Sequence, residues 1–169
     1  MNNNDAAQIE AEEQVEDENM MDGMYLTFAL GDEAEFQVYG LEICHVIEII
    51  QMQRITKVPD VDSSILGVIN LRGKVIPVVD LRASFMMEAA HDQVRKCIIV
   101  VNYEGLETGL IVDEMRDVVY ISEENIQEPP STREYKGKNF VQGIGKLNEE
   151  IILLLDLARF VVSTETSES

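Results

Sequence analysis

The sequence predicts an all-β protein, built as two tandem five-stranded β-barrels with a few short helices. Three observations predict it. Short apolar runs rich in Val, Ile and Leu recur along the chain, separated by turns that hold Gly, Pro, Asp or Asn,. One stretch, Ile65–Leu81, reads as strand, turn and strand, with Leu71-Arg72-Gly73-Lys74 as its turn. That stretch returns 76 residues later as Val141–Leu157, with Gly67 aligned on Gly143, Leu71 on Leu147 and Asp80-Leu81 on Asp156-Leu157. A second alignment, offset by 69 residues, lays Gly40–Ile49 over Gly109–Val118 and sets Val46 on Met115 and Glu48 on Asp117. Scaffold positions agree between the copies, but the turns do not. The first turn carries Leu-Arg-Gly-Lys and the second Leu-Asn-Glu-Glu, so function is to be sought at the first.

The elements follow in order. Residues 1–22 hold eight acids with no Lys, Arg or aromatic residue. Such a segment buries too little apolar surface to offset its ordering entropy, and reads as a disordered acidic tail. Tyr25–Leu30 alternates Leu26, Phe28 and Leu30 on one face, Gly31-Asp32 supplies a turn, and Glu35–Glu42 is the returning strand,. Ile43–Ile50 fits either a helical turn or an extended continuation. Lys57–Asp60 marks a strand end, and Asp62-Ser63-Ser64 suits the cap of a short helical turn,. Lys74–Leu81 is apolar on both pleat faces, predicting burial on both sides, with Pro77 at an edge, bulge or barrel corner. Leu81–Glu88 suits a short helix and His91–Arg95 a polar connector. Lys96–Tyr103, Glu107–Asp113 and Val118–Ile121 are further strands, and Glu128–Ser131 is a loop. The domain thus spans 23–162, as two intertwined barrel subdomains split near 83–95, and 163–169 form a loose tail.

Composition narrows the function. Net charge is −19, which opposes binding to nucleic-acid backbone or anionic lipid and favours partners with basic patches,. With eight acids in the front tail and two in the back tail set aside, 22 acids face 13 bases, a mildly acidic core. No run approaches the ~18 apolar residues of a membrane span, and no signal peptide is visible, so the expected location is cytoplasmic. Cys44 and Cys97 lack C-x-x-C spacing and read as buried reduced thiols rather than disulfide partners or metal ligands,.

Catalytic motifs are missing. The sequence contains no G-x-S-x-G, P-loop, H-E-x-x-H, G-x-G-x-x-G or C-x-x-C,. His45 neighbours Cys44, but adjacent residues on a strand point to opposite faces, which argues against a nucleophile pair. Asp80 and Asp156 end equivalent strands, predicting a shared structural task such as accepting turn amides. Arg72 and Glu48 remain. They read either as ordinary surface charges or as a positioned pair at the rim of a protein-binding surface, where arginine is enriched.

The segments Tyr25–Glu33, Tyr39–Ile43, Val46–Ile49, Ile55–Pro59, Gly67–Leu81, Gly109–Asp113 and Leu154–Leu157, in that order, give the chain a resemblance to the CheW-like family of bacterial chemotaxis coupling proteins. The resemblance implies two SH3-like five-stranded barrels with a groove between them. It implies a non-enzymatic adaptor without cofactor or metal. Its partners would be the cytoplasmic tips of methyl-accepting chemoreceptors and the regulatory domain of the histidine kinase CheA, with possible ring assembly alongside the kinase. It also implies receptor-binding roles for Arg72 and Glu48, with Val46 and Gly67 as neighbours, and a kinase-facing segment including Leu41, Ile43 and Cys44. A coupling domain for a non-flagellar array, serving twitching motility or a second messenger, would use the same surfaces. Two features depart from the family pattern: a first hairpin lengthened by Ala34–Val38, and the acidic tail.

Overall fold

The computed structural model describes residues 21–32, 35–59, 65–87, 96–131, 134–135 and 137–160. Apart from Met21 and Asp22, the acidic tail lies outside that set, as do Asp62–Ser64, His91–Arg95 and 163–169. The elements are β1 (Met24–Asp32), β2 (Glu35–Glu42), a 3-10 turn at Ile43–His45, β3 (Val46–Gln51), β4 (Ile65–Leu71), β5 (Lys74–Asp80), α1 (Leu81–Ser84), β6 (Cys97–Tyr103), β7 (Leu106–Val112), β8 (Glu114–Tyr120), β9 (Ile126–Gln127), β10 (Val141–Leu147) and β11 (Glu150–Leu155). The chain is all-β, as the strand density predicts. The 43–50 segment takes both of its expected forms, one 3-10 turn and then a strand.

Pairing makes two sheets, ordered β8-β1-β2-β11-β10-β9 and β3-β6-β7-β5-β4. Each bends round on itself in the same way. In the outer barrel β8 pairs with β1, and its continuation β9 pairs with β10. In the inner barrel β3 pairs with β6, and its continuation at Thr56 bridges Val68 of β4 through two backbone hydrogen bonds of 2.8 and 2.9 Å.

The sequence copies are β1–β5 and β6–β11, so the 83–95 connection separates the copies. It does not separate the barrels. β6 and β7 complete the sheet of β3–β5, and β1 and β2 complete that of β8–β11. Each copy therefore lends its first hairpin to the other's barrel. The register agrees with both alignments: Gly40 sits opposite Leu154 in one parallel crossing and Gly109 opposite Val78 in the other.

Alternation sends side chains into three cores. On β6, Ile98 and Val100 fill the inner barrel while Ile99 and Val101 join the larger core. On β11, Ile152 and Leu154 fill the outer barrel while Leu153 and Leu155 join the same larger core. That shared core, with Leu26, Phe28, Tyr39, Leu41 and Leu110, draws on strands of both barrels. Aromatic rings extend it: Tyr39 lies 5.2 Å from Phe85, and Phe140 stacks on Phe160 at 4.7 Å between centroids.

The paired aspartates do the expected work. Asp80 Oδ1 accepts the Arg82 amide at 3.0 Å, and Asp156 Oδ1 accepts the Ala158 amide at 3.1 Å. Both caps end a strand and start a helical turn. Three local expectations are corrected. Gly31-Asp32 is not a turn, because β1 runs on to pair Asp32 with Glu35. Lys74 and Val75 at the start of β5 are exposed, and burial begins only at Ile76, because the hairpin tip projects beyond the barrel. Cys44 is exposed rather than buried, because it sits in the 3-10 turn instead of on a strand facing a core.

Candidate functional site

The β4–β5 hairpin closes through Arg72-Gly73, with φ of +53° and +85°. Two successive left-handed residues make the turn type that matches strand twist. The Gly73 amide donates to Asn70 Oδ1 at 3.0 Å and fixes the turn. Arginine gains nothing from this conformation, since a side chain in the left-handed region costs about 1 kcal/mol or more. The explanation lies in where its head lands. Arg72 Nη2 donates to Glu48 Oε2 at 2.7 Å, across 24 residues of sequence.

Glu48 comes from β3, where alternate residues are exposed and half-buried. A register shift between Val46 and Glu48 re-aims the strand at that point,. Glu48 lies on the half-buried face with Val46 and Ile50. Ile47 and Ile49 point outward, 47% and 46% exposed. Glu48 Oε1 is buried and accepts no hydrogen bond. The site is therefore a fixed ion pair whose second carboxylate oxygen is shut away from solvent, on a strand whose opposite face carries two outward isoleucines. The sequence left open whether these charges were ordinary or positioned, and the geometry brings them together.

The other expected residues fall in distinct places. Val46 is half-buried and packs against the shared core. Gly67 is buried beneath the Thr56 bridge: a Cβ there would stand 2.3 Å from Thr56 O, so its part is to admit that close approach. Leu41 is fully buried in the shared core and offers no outer surface. Ile43 is half-buried against that core and Cys44 is exposed.

Between the barrels lies the shared core, because both barrels turn an apolar face inward. The cleft at their junction, about 200 Å³, is walled largely by polar groups of Glu42, His45, Tyr103, Gln142 and Asp156. A helix with side chains, about 10–12 Å across, does not fit it.

Sequence reasoning missed two clusters. Arg82 and Asp113, both buried, meet at 2.6 Å, and Asp113 also accepts the Gly31 amide at 2.9 Å. This pair ties α1 to the β1–β2 hairpin. Hydrophobic patterning cannot mark two charges 31 residues apart. The second cluster is Glu42, Cys44 and His45, whose side chains converge because the 3-10 turn removes the strand alternation assumed for them. Partial desolvation in the turn, then the Glu42 carboxylate, push the thiol of the largely exposed Cys44 above its ordinary pKa; burial alone pushes the half-buried Cys97 up,.

Comparisons place the chain among known proteins. The family model described as "CheW-like domain" matches residues 24–165. The chain is 34% identical over 140 residues to a chemotaxis protein CheW of Rhizobium meliloti, covering 83% of this chain and 88% of that one. It is 34% identical over 131 residues to a chemotaxis protein CheW of Bacillus subtilis, covering 78% and 83% respectively. The solved structure of the scaffolding protein TtCheW from Thermoanaerobacter tengcongensis superposes with a TM-score of 0.71 at 36% identity, over 79% of this chain and 88% of that one.

Proposed function

The chain belongs to the CheW-like domain family, and from that premise we propose that it is a non-enzymatic adaptor joining chemoreceptor cytoplasmic tips to the histidine kinase CheA at arrays on the inner face of the membrane. The observation that carries this reading is the Arg72–Glu48 pair, built at a turn whose conformation disfavours arginine. A receptor tip is a helical hairpin. Its apolar stripe would lie on the outward Ile47 and Ile49, and its polar groups would meet the exposed Arg72 guanidinium,. The charges fix register and exclude wrong partners, while the isoleucines supply apolar area. Val46 and Gly67 act from beneath, one by packing β3 and the other by admitting the Thr56 bridge. On the kinase side Ile43 and Cys44 offer surface, and Leu41 supports them from the core. Signal passes because one rigid body holds both partners, so a receptor shift biases the geometry of the kinase. No helix among the described residues is long and apolar enough to cross a membrane.

Co-sedimentation with receptor-bearing membranes and kinase tests this. Arg72→Glu reverses the charge presented at the rim, and a like charge set against a partner costs several kcal/mol, which lowers receptor capture on the order of 100-fold. Folding stays intact, because the arginine is largely exposed,. Undiminished capture by that variant would overturn the reading. The exchange Arg72→Glu with Glu48→Arg rebuilds the pair with reversed polarity. It stays defective if the receptor reads the charges.

A further inference from the structure

Glu42-Ile43-Cys44-His45 passes through one 3-10 turn, and that turn gathers three different metal-binding groups. His45 Nε2 lies 3.5 Å and Cys44 Sγ 3.8 Å from the same oxygen, Glu42 Oε2. The three ligand atoms all lie within 4.8 Å of one another. Nitrogen, sulfur and oxygen ligands on a tetrahedral zinc ion stand about 3.4–3.6 Å apart, given bond lengths near 2.0–2.3 Å. Two of the three separations thus come close to the spacing that a shared ion would impose. The Tyr103 ring, 5.4 Å from that of His45, holds the imidazole in place.

A separate observation points to a cation. The two sequence copies set Asp113 at the position of Cys44, and Arg82 at the position of Ala158. In the first junction the guanidinium of Arg82 lies 2.6 Å from Asp113. In the second, Ala158 brings no charge to the cluster of Glu42 and Cys44. Instead the adjacent cleft of about 200 Å³, walled by Glu42 and His45, leaves room for an ion and a water,. Asp156 on its far wall is already engaged by the Ala158 amide and by Arg159 at 3.6 Å.

We propose that Glu42, Cys44 and His45 form a site for a thiophilic divalent cation of the zinc class, with water as the fourth ligand. The thiol gives its proton to solvent, and thiolate, imidazole and carboxylate bind the ion. This ligand set selects zinc-like ions over magnesium or calcium, which prefer oxygen alone. The site stands independently of the adaptor reading.

The test is a cobalt(II) titration of the reduced full chain, free of any histidine tag. Thiolate bound to cobalt gives a near-ultraviolet charge-transfer band, and tetrahedral geometry gives intense visible bands. Both should saturate at one equivalent and vanish when zinc is added. Cobalt held by carboxylates of the acidic tail gives neither. Cys44→Ser should abolish the charge-transfer band and Cys97→Ser should leave it unchanged. His45→Ala should weaken binding by at least the ~10–100-fold that even an outer-shell partner is worth. No band in the parent protein, or a band that survives in Cys44→Ser or disappears in Cys97→Ser, would overturn the proposal.

Discussion

The β4–β5 and β10–β11 hairpins are the same object with different chemistry at the tip. Both carry a register shift beside an equivalent glycine, Gly67 or Gly143. Both turn through two left-handed residues, Arg72-Gly73 in one and Asn148-Glu149 in the other. Asparagine tolerates that conformation through its short polar side chain. Arg72 and Glu149 both hold it at a cost, but among the described residues only the arginine reaches back to a carboxylate on the strand that closes its barrel. The residue matching Glu48 in the other copy is Asp117, whose backbone amide donates to Thr27 Oγ1 at 3.0 Å and which forms no ion pair with the second turn among the described residues. Where two copies share a scaffold, the tip that departs from it by making a long-range ion pair is the candidate working surface. The junctions teach the same lesson inside the molecule, one closed by Arg82 and Asp113, the other opening into a polar cleft.

The largest expected effect strikes at the closed junction. Arg82→Ala leaves Asp113 buried without its partner and should lower unfolding free energy by about 3–5 kcal/mol. Urea denaturation should show a lower midpoint at unchanged slope. Ala158→Ser, at the matching position, should stay within about 0.5 kcal/mol. Equal losses would break the comparison. Next come the glycines. Gly67→Ala drives a methyl onto the Thr56 carbonyl at 2.3 Å, so backbone must move, at a cost of about 1–3 kcal/mol,. Gly143→Ala meets an Ile126 methyl at 3.2 Å, which can give, and thermal melts should rank it well below the other. Arg72→Asn copies the second turn into the first. It should change stability by less than about 1 kcal/mol, as for an exposed ion pair, yet lower receptor capture in co-sedimentation, by less than Arg72→Glu does. The smallest effect concerns the two thiols. In metal-free buffer Glu42→Gln removes a carboxylate that raises the Cys44 pKa, so more thiolate forms at pH 8 and alkylation speeds up, while Cys97, raised by burial alone, should not respond. Mass spectrometry of the alkylated cysteines separates the two rates.

Local rules made much of this legible. The repeat located equivalent strands, the caps at Asp80 and Asp156, and the turn that carries Arg72. It could not show that the copies exchange hairpins, since alternation says which face a residue joins but not which strand lies beside it. Arg72 and Glu48 each stood out in sequence, but their contact depends on barrel closure at Thr56. Arg82 was hidden in a short helix that reads as surface. Cys44 and His45 were misjudged because β-branched neighbours made a strand the natural assumption, and one 3-10 turn is too short to leave a periodic signal.

The exchanged hairpins also set an order of events during translation. Strands β3–β7 are contiguous, so the inner barrel has all its parts once Val112 has left the ribosome. The first hairpin, made earliest, must wait for β11 before its barrel can close, leaving Tyr25 and Val38 without Ile152 and Leu154. Nascent chains stalled between those two points would present a finished inner barrel and an exposed apolar ribbon, the species on which a chaperone would act.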